Sequence, residues 1–120
     1  MIIRLELPPP DAKLHAHNSG HWRSKAGAVK ALRELAALVA HQHRVGPTWE
    51  RAGITYRFFF KDNRQRDAAN CVQSMKPAVD GVVDAGLIAG DNWQRLQIDG
   101  VFCEIDRERP RTVLEFREIV

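Results

Sequence analysis

The sequence predicts an α+β domain, an α/β sandwich in which a mixed sheet of about four strands carries two main helices. Three observations predict it. Four stretches have strand character, two longer stretches repeat their apolar residues at three- and four-residue steps, and the order along the chain is strand, helix, strand, helix, strand, strand. The 120 residues match one typical domain of about 100 to 150 residues, so residues 1–120 are read as a single unit.

Ile3, Leu5 and Leu7 alternate with Arg4 and Glu6, the period of a half-buried strand, and Pro8, Pro9 and Pro10 end it. Asp11 to Arg23 is polar and aperiodic, a loop. Ser24 can cap a helix running to about His43, because Val29, Leu32, Ala36 and Val39 form one stripe; Gly46 and Pro47 stop it. Ile54, Tyr56, Phe58 and Phe60 alternate with Thr55 and Arg57 in a β-branched and aromatic run that favours a strand.

Val72, Met75, Val79, Val82, Val83 and Leu87 space out as a second helix, with a kink or late start expected at Pro77, which has no N–H to donate. Gly86 can end it in a left-handed conformation. Leu96 to Ile105 is apolar on both faces, as an interior strand is, and Pro110 lies in a hairpin connection to a last strand, Thr112 to Ile119.

Composition narrows the function classes. Hydrophobic residues at 44% and charged residues at 28% fit an ordinary globular protein, and 18 Lys plus Arg against 15 Asp plus Glu permit an anionic partner without demanding one. No apolar run approaches the roughly 18 residues of a membrane span. Arg4 and the three prolines interrupt the start where a signal peptide needs an unbroken apolar core. A cytoplasmic protein with no membrane partner is expected. Cys71 and Cys103 are read as free core thiols, being neither close-spaced like metal ligands nor numerous like a disulfide framework.

The richest chemistry follows the aromatic strand. Lys61, Arg64 and Arg66 stand within a few residues of Asp62 and Asp67, at a strand end where sites commonly lie. Asp67 and Asn70 supply hard oxygen ligands one helical turn apart, which suits magnesium completed by substrate phosphate, although Asp67 could equally complement the helix dipole. Lys76, Asp80 and Asp84 fall at four-residue intervals, the spacing of an exposed ion-paired face. A lysine near a scissile phosphate could also stabilise charge developing in the transition state. Asp91 lies in a Gly90-Asp91-Asn92 turn.

The run Arg66-Asp67-Ala68-Ala69-Asn70, followed by Lys76-Pro77-Ala78-Val79-Asp80-Gly81 and the later Asp84-Ala85-Gly86 and Asp91-Asn92, resembles the signature of the RusA family of Holliday junction resolvases, small phage and prophage endodeoxyribonucleases. Pro8-Pro9-Pro10 with the loop through Asn18, His21 and Lys25 resembles the family's proline-rich start, so the likeness spans nearly the whole chain. It implies a homodimer that binds four-way DNA junctions and, with magnesium or manganese as a substitute and no nucleotide cofactor, makes paired nicks in recombination and repair. Asp67 then matches the first acid of the family's Asp-x-Asp-Asn pattern, Asn70 its asparagine, Lys76 its helical lysine and Asp91 the acid of the later turn. The chain departs from the pattern at Ala69, where the family usually has its second aspartate. Lys76 also lies further from Asn70 than in the best-known members.

The expected assignment is therefore Asp67 and Asp91 as catalytic metal ligands, Asn70 as a further ligand with Asp80 or water completing the shell, and Lys76 as the charge stabiliser. Lys61, Arg64 and Arg66 are expected on DNA phosphates, with His21, Arg23 and Lys25 as auxiliaries. Trp22 and Trp93 are read as packed more readily than as platforms for opened bases. The competing expectation is a protein that binds branched DNA and cuts it weakly or not at all because of Ala69. A zinc site on His15, His17 and His21, or on His41 and His43, is the weakest reading, since two positions apart on a helix point to different faces.

Overall fold

The computed structural model describes residues 1–11, Leu14 and residues 22–120, the side chains of Trp22, Arg23 and Ser24 excepted. The elements run β1 (Ile2–Leu7), α1 (Trp22–His43), β2 (Ala52–Phe60), α2 (Ala68–Ser74), α3 (Lys76–Asp84), β3 (Leu96–Ile105) and β4 (Arg111–Glu118). They build the mixed four-stranded sheet and α+β class that the sequence predicts.

The sheet order is β1-β4-β2-β3, with β4 antiparallel to both neighbours and β2 parallel to β3. Register sorts the side chains by face. Leu5 lies opposite Leu114 and Leu114 opposite Tyr56, while Ile3, Phe116 and Ile54 form the next row. All six are buried, together with Ala36 and Ala40 of α1 and Val79 and Val82 of α3, so the helices cover one face of the sheet and the core lies between the layers.

The two helical layers approach closely at Gly81. A Cβ there would meet the Arg33 carbonyl oxygen at 2.2 Å, so only glycine lets α3 lie this near the α1 backbone. Beside that crossing the Arg33 guanidinium grips Asp84 with two bonds of 2.6 and 2.9 Å. Gly86 ends the helix as predicted. With φ at 78° it allows its N–H to reach Val83 and that of Leu87 to reach Val82, closing the left-handed cap.

Of the two outcomes expected at Pro77 the late start is the one found: the chain breaks at Met75 into α2 and α3, and Pro77 sits in the first turn of α3, where a missing N–H costs nothing. Three expectations need correction. Helix α1 begins at Trp22, ahead of the Ser24 cap position. No hairpin joins β3 to β4. The connection instead passes the end of β2, where the Asp106 N–H bonds the Phe60 carbonyl, because β4 inserts between β1 and β2. Finally, β3 is an edge strand and not an interior one, and its Cys103 is exposed, whereas Cys71 is buried as expected.

Among the described residues no helix is long and apolar enough to cross a membrane.

Candidate functional site

Strand β2 delivers its C-terminal residues to the connection 61–67, and Asp62 organises that connection. Its carboxylate accepts from the Arg64 backbone N–H at 3.1 Å, from the Arg64 guanidinium at 3.1 Å and from Arg66 at 2.8 Å. The Arg64 N–H, then the Arg66 bond, hold the Asp62 carboxyl below the usual carboxylate range. Arg66 also donates to the carbonyls of Asp62 and Arg64, and its guanidinium lies 4.3 Å from the centre of the Phe60 ring.

The two arginines therefore differ in what they can do. Arg66 is only 21% exposed and its donors are committed to the loop, so it fixes the shape of the connection; Arg64, 67% exposed, keeps donors for a ligand. Lys61 is exposed as well. These three cations and Asp67 line one cleft of about 470 Å³, walled by Pro9, Pro10, Phe60, Cys71 and Pro110.

Asp67 is the N-cap of α2. In extended conformation, φ −90° and ψ 115°, its Oδ1 accepts from the N–H groups of Ala69 at 2.9 Å and Asn70 at 3.3 Å. The dipole-complementing role open to it from sequence is thus filled. Both cap bonds fall on Oδ1, so Oδ2 takes no part in the cap.

A second grouping forms at the start of α3. The Lys76 ammonium donates to Asp80 Oδ1 at 2.5 Å and to Asp91 Oδ2, bridging one helical turn and the later turn. Burial works against the Lys76 charge, but the bonds to Asp80 and Asp91 outweigh it and raise the pKa. The hydrogen bond from Lys76 holds the Asp91 carboxyl below its ordinary range despite partial burial. Beneath them the Tyr56 hydroxyl of β2 is pushed up to about 12, chiefly by burial, with Lys76 lowering it and Asp91 raising it.

Asp91 is held in place from behind. Trp49, buried, pairs with Ile88 in a short parallel bridge, taking a bond from the Ala89 N–H and giving one to the Leu87 carbonyl. Asn92 then accepts from the Gln94 N–H at 2.9 Å, which shapes the turn after Asp91.

Of the residues singled out from sequence, the structure gathers Lys61, Arg64, Arg66 and Asp67 around the cleft, and Lys76 and Asp91 in the bridged grouping. The bonds ordering Asp67 are those of the cap, whereas those ordering Asp91 come from Lys76. Asn70 lies in the first turn of α2 with its N–H on Asp67 Oδ1, whereas Lys25 lies in α1, which contributes to neither grouping. His21 and the side chains of Arg23 and Trp22 lie outside the described residues, as do His15 and His17. His43 bonds the Val39 carbonyl at 2.9 Å within α1. Trp93, expected to pack, is 86% exposed.

The four-residue spacing that reads Lys76 and Asp80 as an ion-paired face is borne out by their bond. Tyr56, read as a core residue, is the one missed: nothing in the sequence links it to Asp91, which the turn after α3 brings near it.

The carboxylate and amide oxygens of Asp67, Asn70, Asp80 and Asp91 are the hard donors a divalent ion such as magnesium takes. The Lys76 ammonium between two carboxylates shows that this spot favours positive charge. Among the described residues no group of three or more His, Cys, Asp or Glu side chains converges in a metal-holding arrangement, so an ion would rely on a carboxylate pair with amide, water or substrate oxygens. Neither a protein-family profile nor a curated protein matches the chain.

Proposed function

We propose that this chain is a metal-dependent, structure-selective endodeoxyribonuclease of the RusA type, acting as a homodimer on four-way DNA junctions. The observation that carries the reading is the cleft at the end of β2, where exposed Lys61 and Arg64 stand beside Asp67. A phosphodiester backbone is recognised chiefly by cation pairing with counterion release, and Asp67 beside those cations keeps its Oδ2 outside the two cap bonds, as an oxygen for a metal ion. Asp67 and Asp91, with the Asn70 amide and water, would hold magnesium. Bound there, the ion would supply a water activated for attack on phosphorus.

The chain's own residues do the rest. Arg66 shapes the loop that presents Lys61 and Arg64, the α2 cap fixes the Asp67 carboxylate, and the Trp49 bridge fixes the turn bearing Asp91. Lys76 would exchange its carboxylate partners for negative charge developing on the phosphate.

A labelled four-way junction incubated with protein and magnesium tests the reading. Symmetric paired nicks that disappear in Asp91→Asn, with binding retained, support it; nicking unchanged by that substitution refutes the assigned roles. The second reading is a junction-binding protein without cleavage. Ala69 in place of the family's second acid, and Asp91 already neutralised by Lys76, favour it. A gel shift without products selects it.

A further inference from the structure

Strand β3 is coloured by its sequence as an interior strand and placed by the fold at an edge. Its ten residues pair with β2 on one side, and no strand lies beyond it among the described residues. In a parallel pair, opposed residues share a face. Leu96, Ile98, Val101, Cys103 and Ile105 lie opposite Ala52, Ile54, Tyr56, Phe58 and Phe60, and so form an uncharged stripe on the helix-bearing side. The helices stop short of it: Ile98 is 61% exposed and Ile105 46%, while Ile54 and Phe58 beside them are fully buried. Phe102, on the other face, is 54% exposed, and Trp93 stands three residues ahead of the strand.

The opposite edge is managed quite differently. On β1 the outward residues Arg4 and Glu6 are ion-paired with Glu115 and Arg109, and Pro8 to Pro10 close the strand. Charge and proline are the usual means of blunting an edge. Strand β3 has neither lysine nor proline; of its two charges, Asp99 is neutralised by Arg117 at 3.0 Å, and Glu104, opposite Phe59, lies on the face away from the stripe.

We propose that β3 is the docking edge for a second copy of this chain, laid antiparallel beside its own β3 across a two-fold axis, so that two four-stranded sheets become one. A second copy is the occupant that fits, because the axis sets two identical uncharged stripes side by side on the same face of the joined sheet, each covering the other. The surface is of the right order. A standard interface takes about 800 Å² from each partner. Phe102, 54% exposed, alone offers on the order of 100 Å², an aromatic side chain presenting about 150–250 Å² in full, before Ile98, Val101, Ile105 and the strand backbone are added.

Register narrows further. The β2 pairing is irregular at Asp99, so the regular segment for docking is Gly100 to Ile105. Symmetry places either Phe102 or Cys103 on the axis, and both put Cys103 within about 8 Å of Cys103 in the second copy, the reach of facing and diagonal cross-strand neighbours. The inference rests on the homodimer of the proposed function and adds its surface and residues; because the test uses neither DNA nor metal, a dimer joined elsewhere overturns it and leaves the nuclease reading intact.

Sedimentation equilibrium of the full chain at tens of micromolar is the primary experiment. Twice the chain mass of 13.6 kDa is expected, falling to the single mass in Val101→Lys/Ile105→Lys. Both residues are exposed in one copy, so circular dichroism and thermal unfolding should still report a folded protein. Leu38→Lys, on the exposed side of α1, should remain dimeric. A short bismaleimide should trap a covalent dimer through Cys103, lost in Cys103→Ser, while Cys71 stays buried and unreactive. A monomeric wild type, a dimer untouched by the β3 lysines, a dimer broken by Leu38→Lys, or open-ended larger assemblies would each overturn the proposal.

Discussion

Asp67 is asked to do two things, and its two substitutions separate them. Asp67→Ala removes the acceptor of two cap bonds, of which the 2.9 Å bond to Ala69 is well formed and the 3.3 Å bond to Asn70 is long. Loss of an N-cap side chain costs about 1 kcal/mol, and loss of the negative charge at the helix start about 0.3–1 kcal/mol more. For a domain of this size 1 kcal/mol corresponds to about 4 °C, so Asp67→Ala should lower Tm by about 5–8 °C. Asp67→Asn keeps an equally good cap and loses only the charge, so its Tm should fall by about 1–4 °C. Thermal unfolding by circular dichroism, with a urea transition of unchanged m value, measures the difference. In the junction assay both variants should lose nicking, since neither amide nor methyl replaces an anionic metal ligand. Equal Tm for Asp67→Ala and wild type would refute the cap; full nicking by Asp67→Asn would refute the metal role.

Gly81→Ala would drive its Cβ onto the Arg33 carbonyl, a backbone atom that moves only with α1, and should destabilise by about 1–3 kcal/mol, read as a shifted denaturation midpoint. Lys61→Ala and Arg64→Ala should each weaken junction binding and reduce the slope of log K against log salt by about one, whereas Arg66→Ala should lower thermal stability because its donors hold the loop; a salt slope unchanged in the first two sinks the phosphate assignment. The Asp91 carboxyl titrates below its unfolded value near 3.8, so its stabilising contribution is complete above that value and disappears as pH falls through the folded pKa. Asp91→Asn should therefore flatten part of the acid limb of stability against pH, and an unchanged limb would show that the Lys76 bond adds nothing.

Local periodicity carried the strands and the helices, because each is written in side chains that all meet the same core. Ile54 to Phe60 could be placed on one face of a strand before any partner was known, and Gly86 announced its own cap. What failed was long-range. The hairpin expected between β3 and β4 is denied by β4 pairing with β1 from the far end of the chain, a preference that no window of adjacent residues contains. Strand β3 was read as interior from its apolar faces, and the single copy leaves it at an edge. At the site, the charged connection and the Asp67 cap position were legible because both are local chemistry. The bridge from Lys76 to Asp91 was half legible: both residues stood out, yet their contact depends on the Trp49 bridge that folds the later turn back toward α3. The pairing of Asp80 with Lys76 was legible from their four-residue spacing, because it is local to one helix turn.

The position of β4 sets an order of events during synthesis. Of these four strands it is the last to leave the ribosome, yet it occupies the second place in the sheet and is the one strand beside β1 among the described residues. Until residues 111–118 emerge, the first strand has nothing to zip to, and the parallel pair of β2 and β3 can form only half a platform. Folding of this chain must therefore finish after translation has passed Glu118, and a nascent chain cut short before Arg111 would expose the inner faces of two disconnected pieces to any chaperone within reach.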